Sequence, residues 1–293
     1  MTAIMVPEHG DGGTDGTCAN CSQPLSGTYC SACGQRQVDL DQPFRELAGE
    51  AIESFLSFDA RIVRTLWPLI RRPGFLTTEF LDGRRVGYVH PFKLYFAFSV
   101  LLFLILALSG WTVVHINPGE EAVSGLNIET QEEAQTDEPS DASSELSFLS
   151  KALGPVADLA ESDPARLNRI FTDRLAKSII VLVPVFAVLL FALYRRRRYI
   201  AHLVFSLHLH SFAFLVLIVG LVIDLAVQAP EESGPGNALA VLAIAAYSFL
   251  ALRRVYGQGR LLTVLKMAFL LLGYLLALIA TMIFTLALTV VSV

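Results

Sequence analysis

The chain has 293 residues, of which 54% are hydrophobic and only 17% are charged, and its mean hydropathy is +0.55. A soluble domain of this length carries more charge, so the composition predicts that the lipid bilayer is a large part of its solvent. Residues 1–17 contain no basic start and no apolar run, which excludes a secretory signal peptide at this end. We expect these residues to form a disordered tail.

The four cysteines of the chain form two C-x-x-C pairs, Cys18 with Cys21 and Cys30 with Cys33. Two such turns can supply the four thiolate ligands of a tetrahedral zinc ion. The spacing therefore predicts a zinc ribbon over residues 18–36, with Gly27 and Gly34 fitting its turns. Because the protein fills all four ligand positions, the predicted zinc is structural rather than catalytic.

The ribbon has too few cations to hold a nucleic acid. Arg36 is the only basic residue among residues 1–40, whereas phosphate backbones are neutralised by several cations. We therefore expect a protein partner at the ribbon, or a ribbon that caps its own chain, and no nucleic acid.

The region 43–90 is predicted to form juxtamembrane helices. Apolar residues recur at helical spacing between Phe44 and Leu69, and the pairs Pro73-Gly74 and Asp82-Gly83 have the composition of turns.

Five apolar runs after this region are long enough to suggest membrane-spanning helices. The fold class that they predict is an α-helical membrane protein with about five transmembrane helices, preceded by the ribbon and the juxtamembrane helices. Pro184 lies inside the second run and is expected to kink that helix. The predicted spans are residues 92–114, 178–194, 203–227, 238–252 and 261–290.

The charges beside these runs predict the orientation. Basic residues precede the first span and separate the second from the third and the fourth from the fifth, whereas residues 116–177 hold 13 acidic and five basic residues. Basic loops stay in the cytoplasm, so the N-terminus is expected inside and the C-terminus outside. Cytoplasmic thiols stay reduced, which favours zinc over disulfides.

The acidic outer loop 116–177 has two predicted parts. Its first half has the composition of a disordered segment, and apolar residues recur at helical spacing between Leu146 and Leu175. That second part is expected to form amphipathic helices on the membrane surface, or alternatively to bind a partner.

Several motifs resemble those of a broad group of bacterial inner-membrane proteins of unknown function. The ribbon reads GTYCSACGQ from Gly27 to Gln35, and downstream come RPG at 72–74 and GRR at 83–85, followed by Tyr88 and Pro91. A second block reads HLVFSLHLHSF from His202 to Phe212. The resemblance implies an inner-membrane location and a bound zinc, but it supplies no catalytic residues.

The two blocks also hold the candidate polar site. Arg84, Arg85 and Tyr88 precede the first span, while Tyr199 and His202 precede the third, so both groups are expected at the cytoplasmic membrane face. We expect them to pack into one polar site, the alternative being that each merely anchors in lipid headgroups.

His208 and His210 complete this candidate set. Helical geometry turns these two side chains about 160° apart, which argues against one metal site for all three histidines of the block.

Two further charged positions have simpler interpretations. Arg195 to Arg198 are expected to fix the topology and attract anionic lipid, with recognition of a phosphate-bearing ligand as the alternative. Asp224 is expected to be an ordinary carboxylate near the outer end of the third span, with an ion-coupling site as the alternative.

These features favour a membrane-embedded scaffold or regulatory protein. The alternative is a small-solute transporter or channel, supported only by Pro184 and the histidines. An enzyme comes third, because the sequence shows no catalytic triad, open metal site or nucleotide-binding loop.

Overall fold

The computed structural model describes residues 16–36, 61–109, 162–229 and 234–292. The predicted tail lies outside these ranges except for Gly16 and Thr17. Residues 43–60 of the juxtamembrane region and residues 116–161 of the acidic loop also lie outside them.

The described part of the chain is helical. Its β structure is limited to two isolated antiparallel bridges in the ribbon, Thr17 with Pro24 and Tyr29 with Arg36. The helices are α1 (Arg61–Arg71), α2 (Phe75–Leu81), α3 (Pro91–Ser109), α4 (Pro164–Leu193), α5 (Tyr199–Ala226), α6 (Pro235–Tyr256) and α7 (Arg260–Ser292).

Three helices of the described chain are long and apolar enough to cross a membrane, fewer than the five predicted. They are Tyr199–Ala226, Pro235–Tyr256 and Arg260–Thr285. The first two predicted spans correspond to shorter apolar helical segments, Pro91–Leu106 and Ile180–Leu193.

Helix α4 extends beyond the second predicted span at its N-terminal end. The prediction began at Ser178, but the helix begins at Pro164 and runs without a break through Pro184 to Leu193. Its first half carries charged residues, so only its second half is apolar. The segment 167–175, which we predicted to be an amphipathic surface helix, is therefore part of the same helix as the predicted span.

The described chain divides into two units. The first comprises residues 1–105 and 183–273, and it contains the ribbon and the two motif blocks. The second comprises residues 106–182 and 274–293, which include the first part of α4 and the end of α7.

Helices α5 and α6 pack through glycines where α5 ends and α6 begins. A methyl group added at Gly220 would lie 2.7 Å from the carbonyl oxygen of Gly236. The two backbones can approach this closely only because neither residue has a side chain at the crossing.

Asp224 joins the same two helices. The prediction made it an ordinary interfacial carboxylate, but it is only 2% exposed and accepts hydrogen bonds from the backbone N–H groups of Gly236 (2.7 Å) and Asn237 (2.9 Å). These N–H groups belong to the first turn of α6, which has no partners for them within the helix. Asp224 therefore caps α6 from the neighbouring helix, where the helix dipole also favours a negative charge.

The RPG motif holds α2 against the end of α6. Gly74 has a left-handed backbone (φ 74°), and a Cβ there would lie 3.0 Å from the carbonyl oxygen of Ala251. Arg254 donates a hydrogen bond from Nη1 to the carbonyl oxygen of Pro73 (3.1 Å). The short helix that follows is thereby fixed beside α5 and α6.

Candidate metal centre and cationic pocket

The four cysteine sulfur atoms lie together, all within 4.8 Å of one another. Cys18 Sγ is 3.6 Å from Cys33 Sγ, and Cys21 Sγ is 3.5 Å from Cys30 Sγ. Zinc–sulfur bonds of about 2.3 Å in a tetrahedron separate the sulfurs by roughly 3.8 Å, whereas a disulfide needs about 2.05 Å. The cysteines are free thiols in an arrangement that could hold a metal ion.

Each cysteine pair sits in a tight turn with the same backbone pattern. Ser22 N–H donates to the carbonyl oxygen of Cys18, and Gly34 N–H donates to that of Cys30, both at 2.8 Å. The residue after each pair has a left-handed backbone, with φ of 61° at Ser22 and 72° at Gly34. The second turn thus uses Gly34 as expected, but its counterpart in the first turn is Ser22 rather than Gly27.

The turn also favours the thiolate form of one cysteine. Backbone N–H groups of Cys33 and Ala32 point at the Cys30 sulfur and lower the pKa of that thiol to about 6. Since the thiolate is the form that binds metal, this backbone geometry suits a ligand.

The ribbon is joined to the turn that follows α2 through Gln35. Its Nε2 donates to the carbonyl oxygen of Gly83 (2.7 Å), and its Oε1 accepts from the backbone N–H of Arg85 (3.3 Å). Gly83 has φ 80°, and a Cβ there would lie 2.8 Å from Cβ of Ala19. The CGQ end of the ribbon and the GRR motif therefore fit each other directly.

A cavity of about 210 Å³ lies beside this turn, between α2, the start of α3 and α5. Four basic side chains line it, and none of the described residues that line it is acidic. The lining consists of Arg61, Leu76, Phe80, Arg84, Arg85, Tyr88, Val89, His90, Lys93 and His208. We call this cavity the cationic pocket.

The basic side chains of the pocket are held by neighbouring groups. Arg85 donates from Nε to the carbonyl oxygen of Phe80 (3.2 Å), with its guanidinium 4.5 Å from the centre of the Phe80 ring. Arg61 donates from Nη1 to the carbonyl oxygen of Val86 (3.1 Å). The residue Lys93 is only 8% exposed, whereas most lysines lie at the protein surface.

Two carboxylates neutralise Arg84. Its Nη2 lies 2.6 Å from Glu79 Oε1 and 2.8 Å from Asp82 Oδ2. The hydrogen bonds that Arg84 donates to Glu79 hold the pKa of Arg84 above its usual range. Arg84 therefore shapes the rim of the pocket more than it adds to its charge.

Two histidines, His90 and His208, line the pocket. His90 stacks on Phe92 and meets the edge of Phe80, and burial together with Arg85 lowers the pKa of His90 to about 4. Its Nδ1 is buried without a hydrogen-bond partner among the described residues. His208, 5% exposed, is bonded through Nδ1 to the Thr77 hydroxyl (3.0 Å).

The structure brings together only part of the polar site predicted from the two blocks. Arg84, Arg85 and Tyr88 share the pocket with His208. Tyr199 and His202 are not among the described residues that line it. The two motif blocks therefore meet at His208, six residues further along α5 than His202.

The remaining predicted residues have other surroundings. His202 is fully buried and bonded through Nδ1 to the Tyr256 hydroxyl (2.7 Å). Tyr199 donates to the carbonyl oxygen of Pro184 at 3.3 Å. His210 is bonded through Nδ1 to the backbone carbonyl of Ser206 (2.7 Å).

The contacts of His202 belong to an aromatic cluster that the sequence did not reveal. The Tyr256 ring stacks on Tyr194 with 3.9 Å between centroids, and Lys266 Nζ lies 4.0 Å above Tyr194. Lys266 also donates to the carbonyl oxygen of Leu193 (2.8 Å). These residues come from α5, α6, α7 and the C-terminal end of α4, where Tyr194 directly follows the helix, so no local pattern connects them.

The pocket likewise contains residues that the sequence did not single out, namely Lys93 and His90, and Thr77 is bonded to the lining residue His208. In the four-arginine run, Arg197 lies 6.0 Å from the Tyr256 ring centre, and Arg195, Arg196 and Arg198 are exposed.

These features define a helical membrane protein with a four-cysteine site that could bind a metal. A family described as "Protein of unknown function (DUF3667)" matches residues 59–103. The match contains every residue that lines the pocket except His208. No curated protein and no solved structure is similar enough to the chain to count as a match.

Proposed function

We propose that the chain is a membrane-embedded regulatory or scaffold protein of a bacterial inner membrane, with a cytoplasmic ribbon that holds one structural zinc. The ligands are Cys18, Cys21, Cys30 and Cys33. Bound zinc supplies no catalysis here; it holds two turns in one geometry. A protein partner binds at the ribbon, and anionic lipid gathers near Arg195 to Arg198.

The observation that carries this proposal is the joint at Gln35. A ribbon that served only as a tethered recruiting module would need no fixed contact with the membrane part of the chain. Here one amide side chain donates to Gly83 and accepts from Arg85, and Gly83 leaves room for Ala19. A change in the ribbon, on binding a partner or losing metal, is thus passed to the turn that lines the pocket.

The proposed topology has five spans, with the N-terminus in the cytoplasm and the C-terminus outside. The three long apolar helices support part of it, and the proposal assigns the other two spans to α3 and the second half of α4, which contain shorter apolar segments. Reporter fusions after residue 254 and at Val293 test it. An external signal near Arg254, or a cytoplasmic one at Val293, would require another span count.

The metal and the joint can be tested separately in the full-length protein. Zinc analysis of purified protein should give one equivalent in the wild type and in a Gln35→Ala variant, and much less in Cys30→Ala. The backbone N–H of Arg85 donates a hydrogen bond to Gln35, so its hydrogen exchange should be faster in Gln35→Ala and in Cys30→Ala than in the wild type. An unchanged exchange rate in both variants would contradict the proposed coupling. A full equivalent of zinc in Cys30→Ala would contradict the proposed metal site.

The regulatory role is tested by capture of partners in mild detergent, quantified by mass spectrometry. The wild type and a Tyr199→Phe control should retain the same partners, because Tyr199 lies away from the ribbon. Cys30→Ala and Gln35→Ala should lose one or more of them. Equal capture by all four proteins would contradict a partner that depends on the ribbon.

A further inference from the structure

We propose that helix α1 docks on an anionic lipid surface, with its exposed apolar face among the headgroups of the membrane that the chain spans. This inference goes beyond the proposed function, because it does not depend on zinc, on a protein partner or on the number of spans. It rests on the face that α1 leaves exposed, on the charges beside that face and on the points where α1 is attached.

The exposed face of α1 is apolar. Val63 is 78% exposed, Trp67 62% and Ile70 49%. At about 100° per residue, these three side chains fall within roughly 60° of one another, so they form one continuous stripe along the helix. Single large apolar side chains are ordinary on a protein surface, but a contiguous stripe is typical of a surface that a membrane or another molecule covers.

The opposite face of α1 is already packed against the protein. Thr65 and Leu69 are completely buried, and the Thr65 hydroxyl accepts a hydrogen bond from the backbone N–H of Val89 (2.9 Å). Helix α1 therefore cannot bury its exposed stripe by turning about its own axis without breaking this packing. A cover for the stripe has to come from outside the present contacts of α1.

The attachment points place α1 beside the ends of apolar helices. Val89 lies shortly before α3, which begins at Pro91. Beyond the other end of α1, Arg254 in the last turn of α6 donates a hydrogen bond to the carbonyl oxygen of Pro73 (3.1 Å). Helix α6 is long and apolar enough to span a membrane, and α3 contains a shorter apolar segment. A helix held between the start of α3 and the end of α6 therefore borders the headgroup layer.

The charges beside the stripe favour anionic lipid. Arg64 and Arg71 are exposed on one flank of it, and α1 contains no acidic residue. Both arginines lie about 40° to 60° beyond Trp67 around the helix. Basic side chains near a membrane surface attract anionic headgroups.

Trp67 suits the same surroundings. Tryptophan is enriched at the boundary between headgroups and hydrocarbon, because its ring is apolar and its N–H is polar. The guanidinium of Arg71 lies 5.0 Å from the centre of the Trp67 ring, so the basic flank begins directly beside the apolar stripe. An apolar stripe with a tryptophan and a basic flank is typical of a helix that lies on a membrane surface.

The test measures the surroundings of Trp67 in the full-length protein. The chain has two tryptophans, so a Trp111→Phe variant leaves Trp67 as the only source of tryptophan fluorescence. This variant is reconstituted in vesicles of equal parts phosphatidylcholine and phosphatidylglycerol. Lipid that is brominated near the headgroup end of its acyl chains should quench Trp67. Acrylamide in the water should quench it at least about three-fold less than it quenches free tryptophan.

A second measurement tests the preference for anionic lipid. Bromine is placed on either the phosphatidylglycerol or the phosphatidylcholine, and the two quenching efficiencies are compared. Phosphatidylglycerol should be enriched beside Trp67 by roughly two- to five-fold. In the same background, Arg64→Gln should lower this enrichment by about half or more. Arg260→Gln removes an exposed charge at the start of α7 and should leave the enrichment unchanged.

Quenching by brominated lipid, with a preference for phosphatidylglycerol that Arg64→Gln weakens, supports the proposal. Quenching by acrylamide alone overturns it, because the stripe then lies in water. Equal quenching by the two brominated lipids, or equal losses in Arg64→Gln and Arg260→Gln, overturns the anionic surface. Folding is checked by elution volume, and Trp111→Tyr replaces Trp111→Phe if that variant does not fold.

Protection of Trp67 from both quenchers also overturns the proposal, because protein then covers the stripe. If that protection depends on the protein-to-lipid ratio, the cover is a second copy of the chain. If it does not, the cover is another segment of the same chain.

Discussion

Helices α5 and α6 are joined in different ways at their two ends. Where α5 begins and α6 ends, the contact is made by side chains, with His202 bonded to Tyr256. Where α5 ends and α6 begins, the contact is made by backbone, with Gly220 against Gly236. At the side-chain contact, a substitution can remove a single hydrogen bond and leave the packing in place. At the backbone contact, there is no room for an added atom. Substitutions at the backbone end should therefore cost more free energy of unfolding than substitutions at the side-chain end.

The largest effect is expected for Gly220→Leu. The new side chain would begin 2.7 Å from the Gly236 carbonyl oxygen, and neither backbone can move away without separating the helices. We expect a loss of about 3 kcal/mol or more in the free energy of unfolding, measured by denaturation in mixed detergent micelles. Val219→Leu, at the neighbouring half-exposed position, is the control and should change stability little. A tolerated leucine at position 220 would show that the helices do not cross there.

Asp224→Ala should have the next largest effect. It leaves the N–H groups of Gly236 and Asn237 without their acceptor, and each buried unsatisfied donor costs about 1 to 3 kcal/mol. Asp224→Asn keeps one carbonyl oxygen and should recover part of the loss. Equal destabilisation by alanine and asparagine would show that packing, not capping, is the role of this side chain.

At the side-chain end, Tyr256→Phe tests the hydrogen bond to His202 while keeping the ring that stacks on Tyr194. Losing this partly buried hydrogen bond should cost about 1 to 2 kcal/mol in the same unfolding measurement. Tyr199→Phe removes a longer bond, 3.3 Å, to the Pro184 carbonyl and serves as the matched control. A larger loss from Tyr199→Phe would contradict this assignment.

The smallest effect is expected for Thr77→Val, which keeps the shape of the side chain but removes the hydroxyl bonded to His208. We expect a loss of about 1 kcal/mol. Thr78→Val is the comparison, since its hydroxyl bonds only to the carbonyl oxygen of Phe75 in the same helix. If the two variants are equally stable, the contact between α2 and α5 does not depend on this hydrogen bond.

The sequence predicted features that depend on local spacing. The two C-x-x-C pairs identified the cysteine cluster, because two residues of a tight turn must point the same way. Apolar runs identified the three long helices, although α4 began earlier than expected because charged residues can continue a helix. Five full spans were expected, and only shorter apolar segments represent the first two.

Contacts between distant segments could not be predicted in the same way. In the sequence, Asp224 cannot be distinguished from any other carboxylate near a helix end. Its partners are backbone N–H groups, which every residue type except proline has, so no residue identity marks them. His208 and His202 are equally plausible members of a polar site by spacing, and only the packing of α2 against α5 brings His208 to the pocket. Tyr256 in α6 and Lys266 in α7 meet Tyr194, which directly follows α4, so no periodic pattern marks them.

The cap formed by Asp224 has a consequence for how the protein enters the membrane. A carboxylate near the end of an apolar helix disfavours partition of that helix alone, and its acceptor role is fulfilled only when the next helix is present, twelve residues further along the chain. Insertion of α5 and α6 together, as a hairpin leaving the translocation machinery in one step, avoids exposing this charge to lipid. Asp224 thereby favours pairwise integration over the sequential release of single helices.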